Sequence, residues 1–329
     1  MDRPTVIRKE HRATYYLLRI AVIAAGSLVM SAPLLSRIGD GILPPSISDS
    51  WYYDGQIAFV MGMAAAGCLL AIIRGNTASE QSLLNLAGGC ALVVGAAACW
   101  PKTAAGDPLG PDAYPEEVQT ANTINLVALI VLVIAAAVVA ARVPADLINA
   151  GRAHRTEDPP AQGGAGGARV ILRVIELLCP LVVGGAIVWF ILDTETVARR
   201  AHGSAAVLLF LCLGVVAFLR TPPGISVLRW LDDVPVGDSV VPSSSDFSLA
   251  NGRRWPRIFS AIYSVVAVGM LTVVGFAFVM FQLGAVSEWI IEIEFALLSL
   301  FLVFWVAQTR DAWMEETPSP SEREFALGT

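Results

Sequence analysis

The side chains of this sequence that could do chemistry are few. Glu292 and Glu294 open an apolar run in Trp289-Ile290-Ile291-Glu292-Ile293-Glu294-Phe295. A carboxylate inside an apolar slab is costly and normally faces a bundle interior or water. A two-residue separation is about 200° of helix rotation, so these two carboxylates point different ways, while Glu288 and Glu292 share a face. Glu294 is the deeper group, about 10 Å along the axis from Ser287. At the same expected level stand His202, Arg199 and Arg200 at the start of one apolar run and Lys102 after another. Tyr52, Tyr53 and Asp54 precede a third. Glu294 and His202 are the candidate acid/base pair of a membrane enzyme. Tyr52, Tyr53, Asp54 and Lys102 are the candidate binding pocket around them. The competing account makes all of these separate anchoring and topology residues.

Other chemistries find no support in the sequence. It has no Walker A loop, no Gly-x-Gly-x-x-Gly, no His-Glu-x-x-His and no Gly-x-Ser-x-Gly. The five cysteines, Cys68, Cys90, Cys99, Cys179 and Cys212, all fall in apolar runs, and only three histidines are present, His11, His154 and His202. A Cys/His zinc site is not expected, and neither is any other metal or cofactor. Asp232, Asp233 and Asp238 are clustered, but Pro235 and Gly237 break the helix that a diphosphate-metal motif needs. No basic-aromatic patch for nucleic acid is present.

The elements that position these residues follow from hydropathy. Of 329 residues, 55% are hydrophobic and 15% charged, whereas a soluble domain carries about 25% charged residues. The excess lies in runs, and about 20 apolar residues in a helix cross a bilayer core. Eight such runs are predicted, centred on 17–35, 57–73, 83–100, 124–143, 174–192, 204–219, 258–283 and 289–307. Period-two alternation is absent, which argues against a membrane barrel. The first run is read as a retained helix rather than a cleaved leader.

Charge sets the orientation. Basic residues beside spans stay cytoplasmic. With eight crossings and both termini inside, only Arg37, Lys102, Arg199 and Arg200 fall outside, and the other 18 of the 22 basic residues fall inside. The outer loops hold Asp40, Asp49, Asp54, Asp107, Asp112, Glu116 and Glu117, so the outer face is acidic. The tryptophans mark span ends, as amphipathic rings do.

Four parts are expected: a four-span part over 1–150, a Gly/Pro-rich cytoplasmic linker over 151–170, a second four-span part over 171–313, and a disordered tail over 314–329. The pair 57–73 and 83–100 reads as a tight hairpin. Small residues recur every fourth position in it, Ala58, Gly62 and Ala66 in one helix and Ala87, Ala91, Gly95 and Cys99 in the other, which permits close backbone approach. Arg173 and Glu176 have ion-pair spacing on one helix face. Residues 225–231 read as a short interfacial helix.

Several of these residues form a pattern: Ser46-Ile47-Ser48, Tyr52-Tyr53, Phe59-Val60 with Gly62, Asn85-Leu86-Ala87-Gly88, and Pro101 with Thr103. The pattern resembles that of bacterial multi-pass membrane proteins of unknown function, in which Ser-Ile-Ser and Tyr-Tyr precede a Phe-Val-Gly span. In that family Asn-x-Ala-Gly and Pro-Thr mark the next span, a His opens a later one and a Glu sits in the last. The resemblance implies that His202 and Glu294 are the matching pair. Gln56-Ile57-Ala58 stands where the family carries an Arg-Asp pair. Spans four and five lie outside the resemblance.

The reading is an all-α polytopic protein of a bacterial plasma membrane, with eight transmembrane helices and both termini cytoplasmic. Its partners are the lipid bilayer and, as an open possibility, another membrane protein. The first functional expectation is non-enzymatic: small-molecule or lipid transport, or an accessory subunit. The second is an outer-leaflet enzyme using Glu294 and His202. The third is a scaffold that binds partners through cytoplasmic loops.

Overall fold

A computed structural model describes residues 3–73, 75, 78–101, 115–142, 166–221, 255–283 and 285–315. Among them are eight α-helices and no strand. The helices are α1 (Arg3–Gly39), α2 (Gln56–Ile72), α3 (Ala78–Ala96), α4 (Glu116–Arg142), α5 (Gly166–Leu192), α6 (Thr194–Leu219), α7 (Trp255–Gln282) and α8 (Val286–Glu315). A short 3-10 turn, Ser48–Tyr52, joins α1 to α2. Lys102, the 151–165 part of the linker, the Asp232–Asp238 cluster, the 225–231 segment and the 316–329 tail lie outside the described residues. So do the side chains of Arg173 and Glu176.

Five helices hold stretches long and apolar enough to cross a membrane: Thr14–Gly39, Glu116–Val138, Thr194–Leu219, Ile258–Gln282 and Glu288–Asp311. Gln56–Ile72 and Leu177–Leu192 are shorter apolar helices. The third helix opens on Ser79-Glu80-Gln81-Ser82, which lowers its hydropathy. Runs of Ala, Val, Leu and Ile become helices because a helix satisfies every backbone donor and acceptor within one segment.

Six helices close a ring in the order α1, α2, α3, α6, α7, α8 and back to α1. The ring draws on both halves of the chain. Its centre is filled by Phe59, Met270, Phe304, Trp305 and Val216, each at most 2% exposed. The fourth and fifth helices pack on α3 and α6 from outside the ring, and α4 leaves Val131, Leu132, Ile134 and Val138 exposed.

The expected hairpin between α2 and α3 is present, and glycine sets its closeness. A Cβ on Gly67 would meet Gly88 O at 2.8 Å, and one on Gly88 would meet Gly67 O at 2.6 Å. Gly62 faces elsewhere: a Cβ there would meet Val29 and Ala25 O, both on α1. The expected series Ala58, Gly62 and Ala66 thus turns at Gly62 toward α1, and the closest approach to α3 is made by Gly67 and Gly88, which lie outside the expected series.

Every buried polar or charged residue among those described falls in one of two layers. Ser36, Ser46, Asp49, Ser50, Asn122 and His202 form the first; Arg19, Ser79, Glu80, Thr221 and Gln308 form the second. Four ring helices measure their separation. Arg19 to Ser36, Glu80 to Ala97 and Glu294 to Asp311 are each seventeen residues apart, about 26 Å of helix. His202 to Arg220 is eighteen, about 27 Å. That is close to a hydrocarbon thickness of about 30 Å.

Candidate functional site at the Glu294 end

The site begins with a sequence device. In Ser46-Ile47-Ser48-Asp49, the Ser46 hydroxyl accepts from Asp49 N at 3.0 Å and donates to Asp49 Oδ2 at 2.7 Å. The first bond is the forward half of a capping box, while the carboxylate returns to the Ser46 hydroxyl rather than to its backbone N–H. The pair winds the chain into the 3-10 turn and leaves the N–H groups of Ile47 and Ser48 pointing out of its start. Glu294, on α8, fills that position. Its Oε2 accepts from Ile47 N at 2.5 Å and from Ser48 N at 3.2 Å, and its Oε1 accepts from the Ser48 hydroxyl at 2.6 Å. Hydrogen bonds to an ionised acceptor are roughly twice as strong as neutral ones. The turn is thereby drawn into the end of the ring, where Ser46, Ile47, Asp49 and Ser50 are all at most 2% exposed.

The second half of the site is the end of α3. A helix leaves its last four carbonyls without intrahelical partners. Here the helix stops at Ala96, before the apolar run ends, and side chains from three other elements take up the freed groups. Asn125 Nδ2 donates to Ala96 O at 2.7 Å. His202 Nδ1 lies 2.7 Å from Ala97 O. Asn122 accepts from Ala98 N at 2.7 Å and donates to Ala98 O at 3.2 Å and to Ala198 O at 3.0 Å. Tyr52 donates its hydroxyl to Cys99 O at 2.6 Å. The Cys99 thiol donates to Asp49 Oδ1 at 3.1 Å, which ties the two halves together. His202 is buried and stacks on Phe59, with ring centroids 6.3 Å apart.

Glu294, His202 and Tyr52 thus bind one continuous polar layer, each through the chain's own backbone. Tyr53 is half-buried, and its N–H donates to Ser50 O at 3.2 Å. Asp54 is exposed, and its N–H donates to Asp40 Oδ2 at 2.7 Å. Among the described residues no group of three or more His, Cys, Asp or Glu could hold a metal. Asn122 and the Ser46–Asp49 pair are layer residues that the sequence did not assign to the site, although Ser46 stands in the family-like pattern and Asp49 in the acidic outer face. The readable signals were Ser-x-x-Asp before an apolar run and Asn-x-x-Asn at the start of α4.

A groove of about 500 Å³ opens beside this layer. Trp51, Gln56 and Met61 wall it on one side, Asn125 and Leu129 on the other, and Gly95 and Ala96 floor it. It exists because α4 leans on α3 and α6 and leaves α2 uncovered. None of Glu294, His202, Tyr52, Tyr53 and Asp54 lines it.

The opposite layer is charged. Arg220 pairs with Glu80, Nη2 to Oε1 at 2.6 Å and Nε to Oε1 at 3.2 Å. Arg19 donates to Gln308 O at 2.6 Å and to the Tyr15 hydroxyl at 2.7 Å. Tyr263 donates to Asp311 Oδ2 at 2.9 Å. All six ring helices but α2 contribute to these bonds. Burial works against the Arg220 charge, but the Glu80 carboxylate more than offsets it and holds the guanidinium above its ordinary range.

Set against known proteins, the chain matches no family model, no curated protein and no solved structure.

Proposed function

We propose that this chain is a non-enzymatic plasma-membrane protein of a bacterium, crossing eight times with both termini cytoplasmic, and that its work is lipid binding and transport. The charged layer at Arg19, Glu80 and Arg220 is the cytoplasmic one in this reading, since most basic residues gather at that end. The equal spans of about 26 Å on α1, α3 and α8 support counting α3 as a crossing despite its polar start.

One observation carries the functional part. The ring is filled at its centre, whereas the groove between α2 and α4 opens sideways, where lipid lies. Its volume falls within the range of about 300–1,000 Å³ typical of ligand sites. Its lining is mostly apolar, as an acyl or isoprenoid chain requires. Glu294 and His202 serve here as closing residues, holding the outer ends of α3 and α8 and the Ser48–Tyr52 turn in place.

Photo-crosslinking in proteoliposomes tests this. A phosphatidylcholine carrying a diazirine in one acyl chain should label Met61 and Leu129 above the rest of the lipid-facing surface, and Ala128→Trp should remove that excess. Labelling spread evenly along Val131, Ile134 and Val138 as well would overturn the reading.

A further inference from the structure

Resting on that lipid reading and extending it to the headgroup, we infer that the groove selects an uncharged lipid whose headgroup presents hydroxyl or amide groups, such as a glycosyl diacylglycerol, over anionic phospholipids. The lining residues are all neutral. Three of them have polar side chains: Trp51 with its indole N–H, Gln56 and Asn125. One N–H of the Asn125 amide is committed to Ala96 O, which leaves its second N–H and its Oδ1 acceptor. Gln56 is exposed and offers both a donor and an acceptor. A donor and two amides that each give and take suit a polyhydroxyl headgroup, whose groups both give and take hydrogen bonds.

The rim decides against a phosphate. Asp54 stands two residues before Gln56, and Glu117 stands eight residues, about two helical turns, before Asn125. Both are exposed. Asp40, Glu116, Glu288 and Glu292 are further exposed carboxylates at the same end. Among the described residues, Arg37, Arg199 and Arg200 stand against them, and Arg199 is already paired with Glu195; Lys102 lies outside the described residues. An anionic headgroup entering there meets like charge, which costs affinity and slows approach. No lining residue supplies the cation that a phosphodiester needs.

The experiment is competition against a diazirine-bearing diacylglycerol in phosphatidylcholine proteoliposomes of the full chain, read as label on the α2 and α4 groove peptides. Monoglycosyl diacylglycerol should suppress that label about fivefold more strongly than phosphatidylglycerol of the same chains. Gln56→Leu, at an exposed position, should erase the advantage, and Asp54→Asn with Glu117→Gln should narrow it from the other side. Phosphatidylglycerol competing as well as the glycolipid would overturn the headgroup assignment and leave the groove reading standing. Absence of groove label with every lipid would instead remove the groove reading itself.

Discussion

Glu294 and Ser48 are 246 residues apart in the chain, and one carboxylate oxygen of the former lies 2.6 Å from the hydroxyl of the latter. The other oxygen takes the backbone N–H groups of Ile47 and Ser48. The last helix therefore fastens the first loop. Replacing Glu294 with Gln supplies one carbonyl oxygen where two charged acceptors stood and turns an amide donor toward other donors. A loss of about 1–3 kcal/mol is expected, and Ser48→Ala should cost less because both backbone bonds survive. Thermal unfolding in detergent ranks the two variants. A Glu294→Gln protein as stable as the parent would show that the carboxylate does not fasten the turn.

Asn122 holds both polar groups of Ala98 and one of Ala198, whereas Asn125 holds only Ala96 O. Asn122→Ala leaves three buried backbone groups unmatched, so it should destabilise by about 1–3 kcal/mol and by more than Asn125→Ala. Proteolysis in the 97–101 segment provides a local readout, with cleavage rising in the Asn122 variant first. Equal effects of the two substitutions would contradict the bonding pattern.

Gly88 and Gly89 are neighbours on α3 with opposite surroundings. A Cβ on Gly88 would strike Gly67 O at 2.6 Å, while one on Gly89 meets nothing within 4 Å. Gly88→Ala must part α2 from α3 and should cost about 1–3 kcal/mol. Gly89→Ala should be neutral or mildly stabilising, since alanine is the better helix former. Unfolding midpoints of the two variants decide the matter, and a neutral Gly88→Ala would refute the close approach.

Arg220 and Glu80 tie α6 to α3 at the charged layer, with side chains 19% and 4% exposed. Removing one partner strands a buried charge, so Arg220→Met alone should cost about 3–5 kcal/mol. Glu80→Met with Arg220→Met should cost less than the sum of the single changes, because the stranded charge is gone. A double-mutant cycle on unfolding free energies measures the difference. Strict additivity would mean that the two groups are solvated independently.

How much of this could be read from the sequence depends on the scale of the force involved. Long apolar runs dictate helices because backbone groups away from water must be satisfied within a segment. The runs therefore revealed the helices of the described residues, the five stretches long and apolar enough to cross a membrane among them, without reference to any contact. The pairing of α2 with α3 was legible for a similarly local reason, a short connection between small-residue-rich helices, although the glycines that meet, Gly67 and Gly88, are not those of the expected series. What Gly62 packs against was not legible, since a face of small residues suits any neighbour equally, and α1 took it.

The polar layers show the division most clearly. Sequence marked Glu294 and His202 as costly groups near one end, because charge and imidazole in apolar surroundings stand out on composition alone. It could not say that each would satisfy backbone freed elsewhere, Ile47 and Ser48 for one and Ala97 for the other. Asn122 carried only the faint Asn-x-x-Asn signal, and nothing local showed that Arg19, Glu80, Arg220, Tyr263 and Asp311 gather at the opposite end. Hydrogen bonds act over about 3 Å between segments hundreds of residues apart. Only the closing of the ring decides which carbonyl a given side chain meets, whereas burial of apolar surface needs no particular partner and is already written in the order of the residues.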